Sequence, residues 1–238
     1  YIHAPYGLGE RYAHGPLAAL ETCRSNGPWG NYTASKNESI YYMFPWSNSS
    51  ALPTKIIIQK VAQYKETVDA VAGTINGYII NAAFTTDETL LCRAEAYIMK
   101  GSAFYPQAIA DLNVWQSAYT RATSSLTVES INTYYSALPY YKPLEPTVKK
   151  ELHPDFTFES SIQENLIHCV LHARRIMTLH EGLRWQDIKR YGIVIYRRFI
   201  SNVGTSITDE LGVDDPRRAI QIPSDAIIAG MEPNPRNK

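Results

Sequence analysis

Residues 180–192, HEGLRWQDIKRYG, concentrate the residue types that carry out acid–base and metal chemistry. The segment contains one histidine, two carboxylates, three basic residues and a tryptophan. His180 and Glu181 begin like the zinc motif HExxH, in which a second histidine one helical turn later completes the ligand pair. Arg184 occupies the position of that second histidine. The segment therefore lacks this zinc motif, and its charges need another explanation.

Ion pairing within a helix is that explanation. Glu181 precedes Arg184 by three residues, and Asp187 precedes Arg190 by three residues. Side chains at this spacing meet on one helical face. Clustered charges of this kind more often form structural ion pairs than catalytic sites. We therefore predict that the segment is a helix packed among other helices, and that it is not catalytic.

Two further groups of residues have spacings that suit chemistry. His168 and His172 are four residues apart and would chelate a metal from one helix, but the sequence offers no third ligand nearby. We interpret them as histidines of a helix surface or interface. Asp214 and Asp215 precede Pro216, where turn chemistry explains them better than a carboxylate pair. The chain has no GxSxG, phosphate-loop or GxGxxG motif. We predict no catalytic residue, no metal and no cofactor.

Composition limits the classes of partner. Lysine and arginine number 23, as do aspartate and glutamate, so the formal net charge is zero. Nucleic-acid-binding proteins usually carry an excess of basic residues, so we predict that this chain does not bind nucleic acid. The cysteines Cys23, Cys92 and Cys169 have no zinc-type spacing. One disulfide is possible, but the apolar surroundings of Cys92 and Cys169 favour buried free thiols.

Residues that typically start and end helices become recognisable from residue 85. Thr85 and Glu88 form a capping-box pattern, and Gly101 is suited to end the helix that follows. Pro106 is suited to open a second helix, which makes residues 85–118 a helical hairpin. Ser161 and Glu164 repeat the capping pattern before a helix that reaches about residue 179. A short helix follows Gly182 and stops near residue 192.

The remaining segments give weaker signals. Residues 1–55 are rich in Gly, Pro, Asn and Ser, which indicates loops. KIIIQKV has the character of a strand, whereas VAQYKETVDAVAG suits a short helix that ends at Gly73. Residues 120–160 are predicted to be mostly loop, VIYRRFI is a possible strand, and the proline-rich tail is expected to lie extended along the protein. The chain thus divides into an irregular, aromatic-rich region, 1–84, and a helical region, 85–238.

The first hairpin resembles a tetratricopeptide repeat, whose small residues let two helices approach while an aromatic ring fills the space between them. The matching positions are Ala96, Tyr97, Gly101, Tyr105 and Ala108. The turn is two residues longer than usual. Three blocks in order, LLCRAEAYIMKG…AIADLN, EGLRWQDIKRYG and DPRRAIQIPSDAIIAGMEPNPR, resemble the C-terminal part of the SusD/RagB family of Bacteroidetes.

The resemblance implies a mainly α fold, with tetratricopeptide-like hairpins in a SusD-like superhelix and long irregular loops. It implies non-enzymatic capture of a nutrient oligosaccharide at the cell surface and delivery to a SusC-like TonB-dependent transporter. The family's proteins are outer-membrane lipoproteins, so membrane contact is expected only through a lipid anchor on a missing N-terminal segment. One departure concerns two glutamates of the family pattern, whose positions hold Ala173 and Met177. Arg174 and Arg175 must therefore find other partners.

An aromatic-rich stretch is the candidate ligand-binding segment. Aromatic rings cover the apolar face of a sugar and polar side chains pair with its hydroxyl groups. The candidate residues are Trp29, Asn31, Tyr32, Tyr41, Tyr42 and Trp46. Packing onto the helices is an equal alternative for the two tryptophans and the favoured one for Tyr41 and Tyr42, while Trp115 and Trp185 are expected in the core. Alternative functions are a protein-interaction scaffold, a peptide-binding member of the family and, with less support, a carboxylate-pair hydrolase.

Overall fold

The computed structural model describes residues 26–30, 42–46, 55–59, 63–69, 71–79, 84–159, 161–178, 181–201 and 204–236. Only the backbone is described for the strand residues 42–46, 55–59, 63–66, 74–79 and 200–201. These parts of the chain are mainly helical, as predicted. Their helices are α1 Thr86–Met99, α2 Tyr105–Tyr119, α3 Val128–Ala137, α4 Ile162–Met177, α5 Arg184–Arg190 and α6 Ser224–Ile228.

The α1–α2 hairpin forms where the sequence predicts it. The Thr85 hydroxyl accepts a hydrogen bond from the backbone N–H of Glu88 and so begins α1. Gly101 has a φ of 98°, which a glycine adopts without strain, and reverses the chain into a 3-10 turn. Pro106 lies in the first turn of α2. Arg93 and Asp111 then tie the two helices with hydrogen bonds of 2.7 and 2.9 Å.

Residues 120–160 are mostly loop, as predicted, but helix α3, which was not predicted, lies within them. Thr127 and Ser130 cap the helix reciprocally, side chain to backbone, which satisfies two otherwise unpaired N–H groups. Ile131 and Tyr135 are fully buried on its inner face. The Asn113 side chain pairs with both backbone groups of Leu126 and holds the start of this segment on α2.

Helix α4 is the central element of the core. It packs against α1 and α3, and most of its residues are buried. Leu166, Ile167 and Ile176 are completely excluded from solvent. The predicted capping box at its start is not formed, because the Ser161 side chain makes no capping hydrogen bond. Burial on nearly every side of α4, and not end capping, therefore stabilises it.

The described strands form three antiparallel hairpins. Strand β1, Tyr42–Trp46, pairs with β2, Lys55–Gln59, which contains the predicted KIIIQ strand. Strand β3, Gln63–Asp69, lies in the segment expected to be a helix ending at Gly73, and it pairs with β4, Thr74–Ile79, which follows that segment. The helix prediction for this segment is therefore wrong.

The turn between β3 and β4 has a local cause. The Asp69 carboxylate accepts hydrogen bonds from the N–H groups of Val71 and Ala72, and Gly73 has a φ of 67°. This turn chemistry selects the hairpin over the helix. The predicted strand near VIYRRFI is β5, Ile195–Ser201, and its partner is β6, Gly204–Leu211.

Arg218 holds the tail that follows β6 against the rest of the protein. Asp215 caps a 3-10 turn at Pro216–Arg218, which confirms turn chemistry for this aspartate. Arg218 donates hydrogen bonds to the carbonyl oxygens of Ile188 and Ile193, and thereby fixes the tail to the end of α5. Beyond Arg218 the tail forms hydrogen bonds within itself. The Gln221 side chain, for example, donates to the backbone carbonyl of Asn234 and accepts from its backbone N–H.

Exposed apolar side chains mark this last part of the tail. Ile220 and Ile228 are each 86% exposed. These two side chains face solvent, and residues 224–228 form α6, so the prediction that the tail is extended is wrong for this part of it.

Candidate functional site

An open groove runs between α1 and α5, and we call it the α1–α5 groove. Its volume is about 800 Å³, within the range of ligand-binding clefts. Glu95 and Arg174 lie in its floor, while Tyr97, Gln186 and Arg93 line its sides. Amide, guanidinium, carboxylate and aromatic groups therefore converge on one concave surface, formed by helices that are fixed by the core.

The floor of the groove is a network of buried charges centred on Arg174. Its Nη2 lies 2.6 Å from Oε2 of Glu95, and its Nη1 lies 2.5 Å from Oδ1 of Asp187. Glu95 also accepts hydrogen bonds from Arg190 at 2.8 Å and from the Tyr191 hydroxyl at 2.6 Å. One guanidinium thus joins α1, α4 and α5.

The electrostatics of this network favour ionised carboxylates. Burial opposes the charged form of Glu95, but the adjacent Arg174 charge and the hydrogen bonds from Tyr191, Arg174 and Arg190 outweigh it, so the pKa of Glu95 is lowered. Burial likewise opposes the charge of Arg174, yet Asp187 and Glu95 keep its pKa above the usual value. A carboxylate held in this way is a poor proton donor near neutral pH. The geometry suits a structural clamp better than acid–base catalysis.

The ion pairs of the segment 180–192 differ from those that the sequence predicts. The helical spacing pairs Asp187 with Arg190, but Asp187 contacts Arg174 and, at 3.4 Å, Arg184. Arg190 contacts Glu95 on α1. The structural interpretation of the cluster thus agrees with the geometry, whereas the predicted Asp187–Arg190 pair is wrong. The reason is that the strongest partners come from helices far away in sequence.

The sides of the groove carry accessible groups. Tyr97 is half-buried and stacks on Phe104, with ring planes 8° apart and centroids separated by 6.3 Å. Lys100 lies over the same Phe104 ring at 4.7 Å. Gln186 is exposed, as is Cys92. The exposure of Cys92 contradicts the prediction that it is buried, whereas Cys169 is buried and free as predicted.

The predicted ligand-binding segment is only partly described. Asn31, Tyr32 and Tyr41 lie outside the described residues. Tyr42 and Trp46 are the two ends of β1, where the backbone alone is described. The assignment of these five residues to a ligand therefore stays a prediction.

Trp29 is the member of that segment whose side chain is described, and it lies in the core. It is 2% exposed. Its indole ring packs at 4.8 Å from that of Trp115 and at 4.9 Å from the ring of His172. A side chain with so little accessible surface favours the packing alternative that the sequence left open. Trp115 is fully buried, as expected, whereas Trp185 is only partly buried.

His168 and His172 are buried in α4 and contact Tyr135 of α3, so of the two predicted alternatives the helix surface is wrong and the helix interface agrees with the structure. They are 2% and 4% exposed. His168 Nε2 lies 3.4 Å from a Glu164 oxygen, and His172 Nδ1 lies 3.0 Å from the Tyr135 hydroxyl. Burial, followed by the charges of nearby arginines, lowers the pKa of His172 to about 3. Within the described ranges, no group of three or more His, Cys, Asp or Glu side chains is placed to hold a metal ion.

Comparisons of the chain with protein-family models, with curated proteins and with solved structures each gave no match. Among the helices that the structure describes, none has the length and apolar character needed to cross a membrane. The groove, its charges and the sequence motifs are therefore the features that bear on function.

Proposed function

We propose that the chain is a non-enzymatic binding protein that holds an oligosaccharide in the α1–α5 groove. The observation that carries this proposal is an open cleft of about 800 Å³ whose two buried carboxylates, Glu95 and Asp187, are tied to arginines. Such a floor provides fixed charge and shape but no free acid–base pair. Glycosidases need two carboxylates with separate protonation states, and the Glu95–Arg174–Asp187 arrangement is unlike that requirement.

The side chains around the floor suit a sugar. The Tyr97 ring offers a flat apolar surface for the C–H face of a pyranose. Gln186 supplies both a donor and an acceptor, and the guanidinium groups of Arg93 and Arg190 supply further donors to hydroxyl oxygens. Because α1 and α5 are clamped by Arg174, these groups are presented on a rigid frame, which reduces the entropy lost on binding.

The biological setting in this proposal comes from the resemblance to the SusD/RagB family. The chain would be part of an outer-membrane lipoprotein at the cell surface, anchored through a lipid on an N-terminal segment. It would pass its oligosaccharide to a SusC-like TonB-dependent transporter. The tetratricopeptide-like character of the α1–α2 hairpin belongs to the same proposal, and it is supported by the burial of Tyr105 and Ala108 between the helices.

A second candidate function is the binding of a peptide or protein segment. It is favoured by the apolar part of the groove lining, where Ala96, Met99 and Leu183 lie beside the aliphatic stems of Lys100 and Arg190. Helical scaffolds commonly hold peptides in such grooves, with apolar anchors inside and charges at the rim.

Retardation in glycan-loaded native gels tests the first proposal. The chain is run against a panel of polysaccharides beside Tyr97→Ala, Gln186→Ala and Trp46→Ala. Gln107→Ala is the matched control, because Gln107 is an exposed glutamine of α2 outside the groove. We expect one class of glycan to retard the protein, and we expect Tyr97→Ala and Gln186→Ala to lose that retardation while Gln107→Ala keeps it.

Other results would redirect the proposal. Loss of retardation in Trp46→Ala alone would move the site to the aromatic-rich segment. No retardation by any glycan, together with binding on a peptide array that Tyr97→Ala abolishes, would replace glycan capture with peptide binding.

A further inference from the structure

The antiparallel pair of strands β5 and β6, which we call the β5–β6 ribbon, projects into solvent. Every residue of β6 from 204 to 210 is exposed, and on β5 Arg197 and Phe199 are exposed as well. One face of the ribbon touches the rest of the protein, where the Tyr196 ring stacks on that of Tyr141 with centroids 6.1 Å apart. A two-stranded ribbon with so little burial is marginally stable in water, so a further strand would stabilise it.

The edge of the ribbon at β6 is occupied by the tail. Arg217 donates a hydrogen bond of 2.6 Å to the backbone carbonyl oxygen of Glu210. Arg218 donates one of 3.2 Å to the backbone carbonyl oxygen of Leu211. The tail therefore covers the end of the β6 edge that lies nearest the helices.

The edge at β5 is regular and has no such cover in the part of the chain that the structure describes. The pairing register skips Thr208, so the extra residue that bends a strand away from partners lies on β6. Strand β5 contains no proline or glycine, and among the described strands it pairs with β6 alone. Its outer row of N–H and C=O groups is therefore a template for another extended chain.

The charge of β5 selects the kind of chain. Arg197 and Arg198 are adjacent in the strand and so point to opposite faces of the ribbon. Asp209 lies opposite Arg197 in the register, but its carboxylate pairs with Arg217 at 2.8 Å. Neither β5 arginine takes part in any of the ion pairs between described residues. A strand laid along β5 would thus meet one guanidinium group on each of its faces.

We propose that the outer edge of β5 binds an extended segment of a partner protein that carries acidic side chains. The segment would form a third strand, with carboxylates against Arg197 and Arg198 and an apolar side chain beside Phe199, which is 59% exposed. Main-chain hydrogen bonds would supply affinity, and the charges would supply specificity. None of the described residues that line the α1–α5 groove belongs to the ribbon, so this proposal is independent of glycan binding.

A second copy of the chain fits the β5 edge less well than an acidic partner does. Antiparallel pairing of β5 with its own copy about the central residue places Arg198 opposite Arg198 and Arg197 opposite Phe199. Like charges directly opposite each other destabilise a sheet. Charge complementarity therefore favours an acidic partner over self-association.

Fluorescence anisotropy with the labelled peptide Val-Thr-Glu-Glu-Val-Thr-Val tests the proposal on the full chain. We expect this acidic peptide to bind, and a matched peptide with lysine in place of both glutamates not to bind. Arg197→Gln and Arg198→Gln should each weaken binding of the acidic peptide by up to about fivefold, the upper limit for an exposed ion pair. Arg121→Gln, at an exposed arginine outside the ribbon, is the matched control and should leave binding unchanged.

Two N-methylated forms of the acidic peptide test whether it binds as a strand. Each form is methylated on alternate residues, one on the odd positions and the other on the even positions. Alternate N–H groups of a strand point to opposite sides, so only the form methylated on the side that faces β5 should lose binding. Unchanged binding of both forms would show that no strand is added, and would overturn the proposal.

Hydrogen exchange followed by mass spectrometry locates the bound peptide. We expect the amides of residues 195–201 to gain protection when the acidic peptide is present. Protection only outside these residues would overturn the assignment to β5. No binding of the acidic peptide, or equal binding of the acidic and lysine peptides, would overturn the chemistry of the partner. Protection of β5 that rises with protein concentration in the absence of peptide would replace the partner with a second copy.

Discussion

Nη2 of Arg174 lies 2.6 Å from Oε2 of Glu95, although 79 positions of the chain separate the two residues. This contact connects the first helix of the hairpin to the buried central helix. Because Asp187 binds the other terminal nitrogen of the same guanidinium, three helices share one cation. The segment 180–192, which resembles a catalytic cluster in the sequence, therefore contributes Asp187 to a structural clamp that joins α1, α4 and α5.

Removing the charge of Glu95 should destabilise the protein strongly. In Glu95→Gln the buried Arg174 loses one of its two carboxylates, and Arg190 and Tyr191 lose their common acceptor. Breaking a buried pair by neutralising one partner costs about 3–5 kcal/mol. Urea unfolding followed by circular dichroism measures the change. Glu232→Gln, at an exposed glutamate of the tail, should stay within about 0.5 kcal/mol of the wild type, and equal midpoints for the two variants would contradict the clamp.

The main effect of Trp29→Ala should be a lower free energy of unfolding, not a direct loss of ligand binding. The ring of Trp29 is buried against Trp115 and His172, and truncating a buried tryptophan costs about 3–5 kcal/mol. Gly27→Ala should mimic part of this loss, since a Cβ at residue 27 would overlap the Trp29 indole. The free energy of unfolding from urea titrations checks both variants. A Trp29→Ala protein with unchanged stability and abolished glycan binding would restore Trp29 as a ligand residue.

Gly192→Ala should cost more than a comparable glycine substitution elsewhere. Gly192 has a φ of 55°, and a Cβ there would overlap the backbone carbonyl oxygen of His153. Gly73 has a similar φ of 67° but nothing within 4 Å of the added Cβ, so Gly73→Ala reports backbone strain alone. Strain of this kind costs about 1–3 kcal/mol. Thermal unfolding of both variants should show the larger loss for Gly192→Ala, and a smaller loss than for Gly73→Ala would refute the close approach.

Lys150 should make the stability of the protein depend on pH. Its pKa is lowered from 10.5 to about 6 by burial and by the charges of Arg175, Arg184 and Arg198. Between these two values the unfolded chain binds a proton that the folded chain does not, so the free energy of unfolding rises with pH. The lowered pKa values of His168 and His172 add a contribution of the same sign up to about their ordinary value of 6.5, and Lys150→Met retains that contribution.

The measurement is Tm from pH 6 to pH 9 for the wild type and for Lys150→Met. We expect the wild type to gain stability across this range relative to the variant, in which residue 150 does not titrate. Parallel curves for the two proteins would show that the lysine keeps its usual acidity.

Local signals explain which elements the sequence predicts correctly. Thr85, Gly101 and Pro106 each act within a few residues of their own position, and the α1–α2 hairpin follows from them. Helix α3 is not predicted because VESINTYYSA combines β-branched, aromatic and polar residues, and its only clear signal is the short pairing of Thr127 with Ser130. The β3–β4 turn is predicted wrongly because the apolar spacing of residues 61–73 outweighs the capping role of Asp69.

The contacts in the floor of the groove could not be predicted from the sequence, for a different physical reason. Helical spacing relates a residue only to neighbours three or four positions away. Glu95 meets Arg174 and Arg190 through packing of separate helices, and no period in the sequence encodes that meeting. The same limit applies to His168 and His172, whose burial depends on α3 lying against α4.

The insertion of Trp29 into the core has a consequence for the chain that follows it. Residue 29 is fixed among Trp115 and His172, and residue 86 begins α1, so the intervening chain, which includes the β1–β2 and β3–β4 hairpins, is attached to the helices at both ends. Attachment at both ends lowers the number of conformations open to such a segment. Any group on it, Trp46 included, meets the helical body as a tethered partner whose effective concentration is on the order of millimolar. A weak affinity between that segment and a ligand already seated on the helices would then suffice to hold the ligand from two sides.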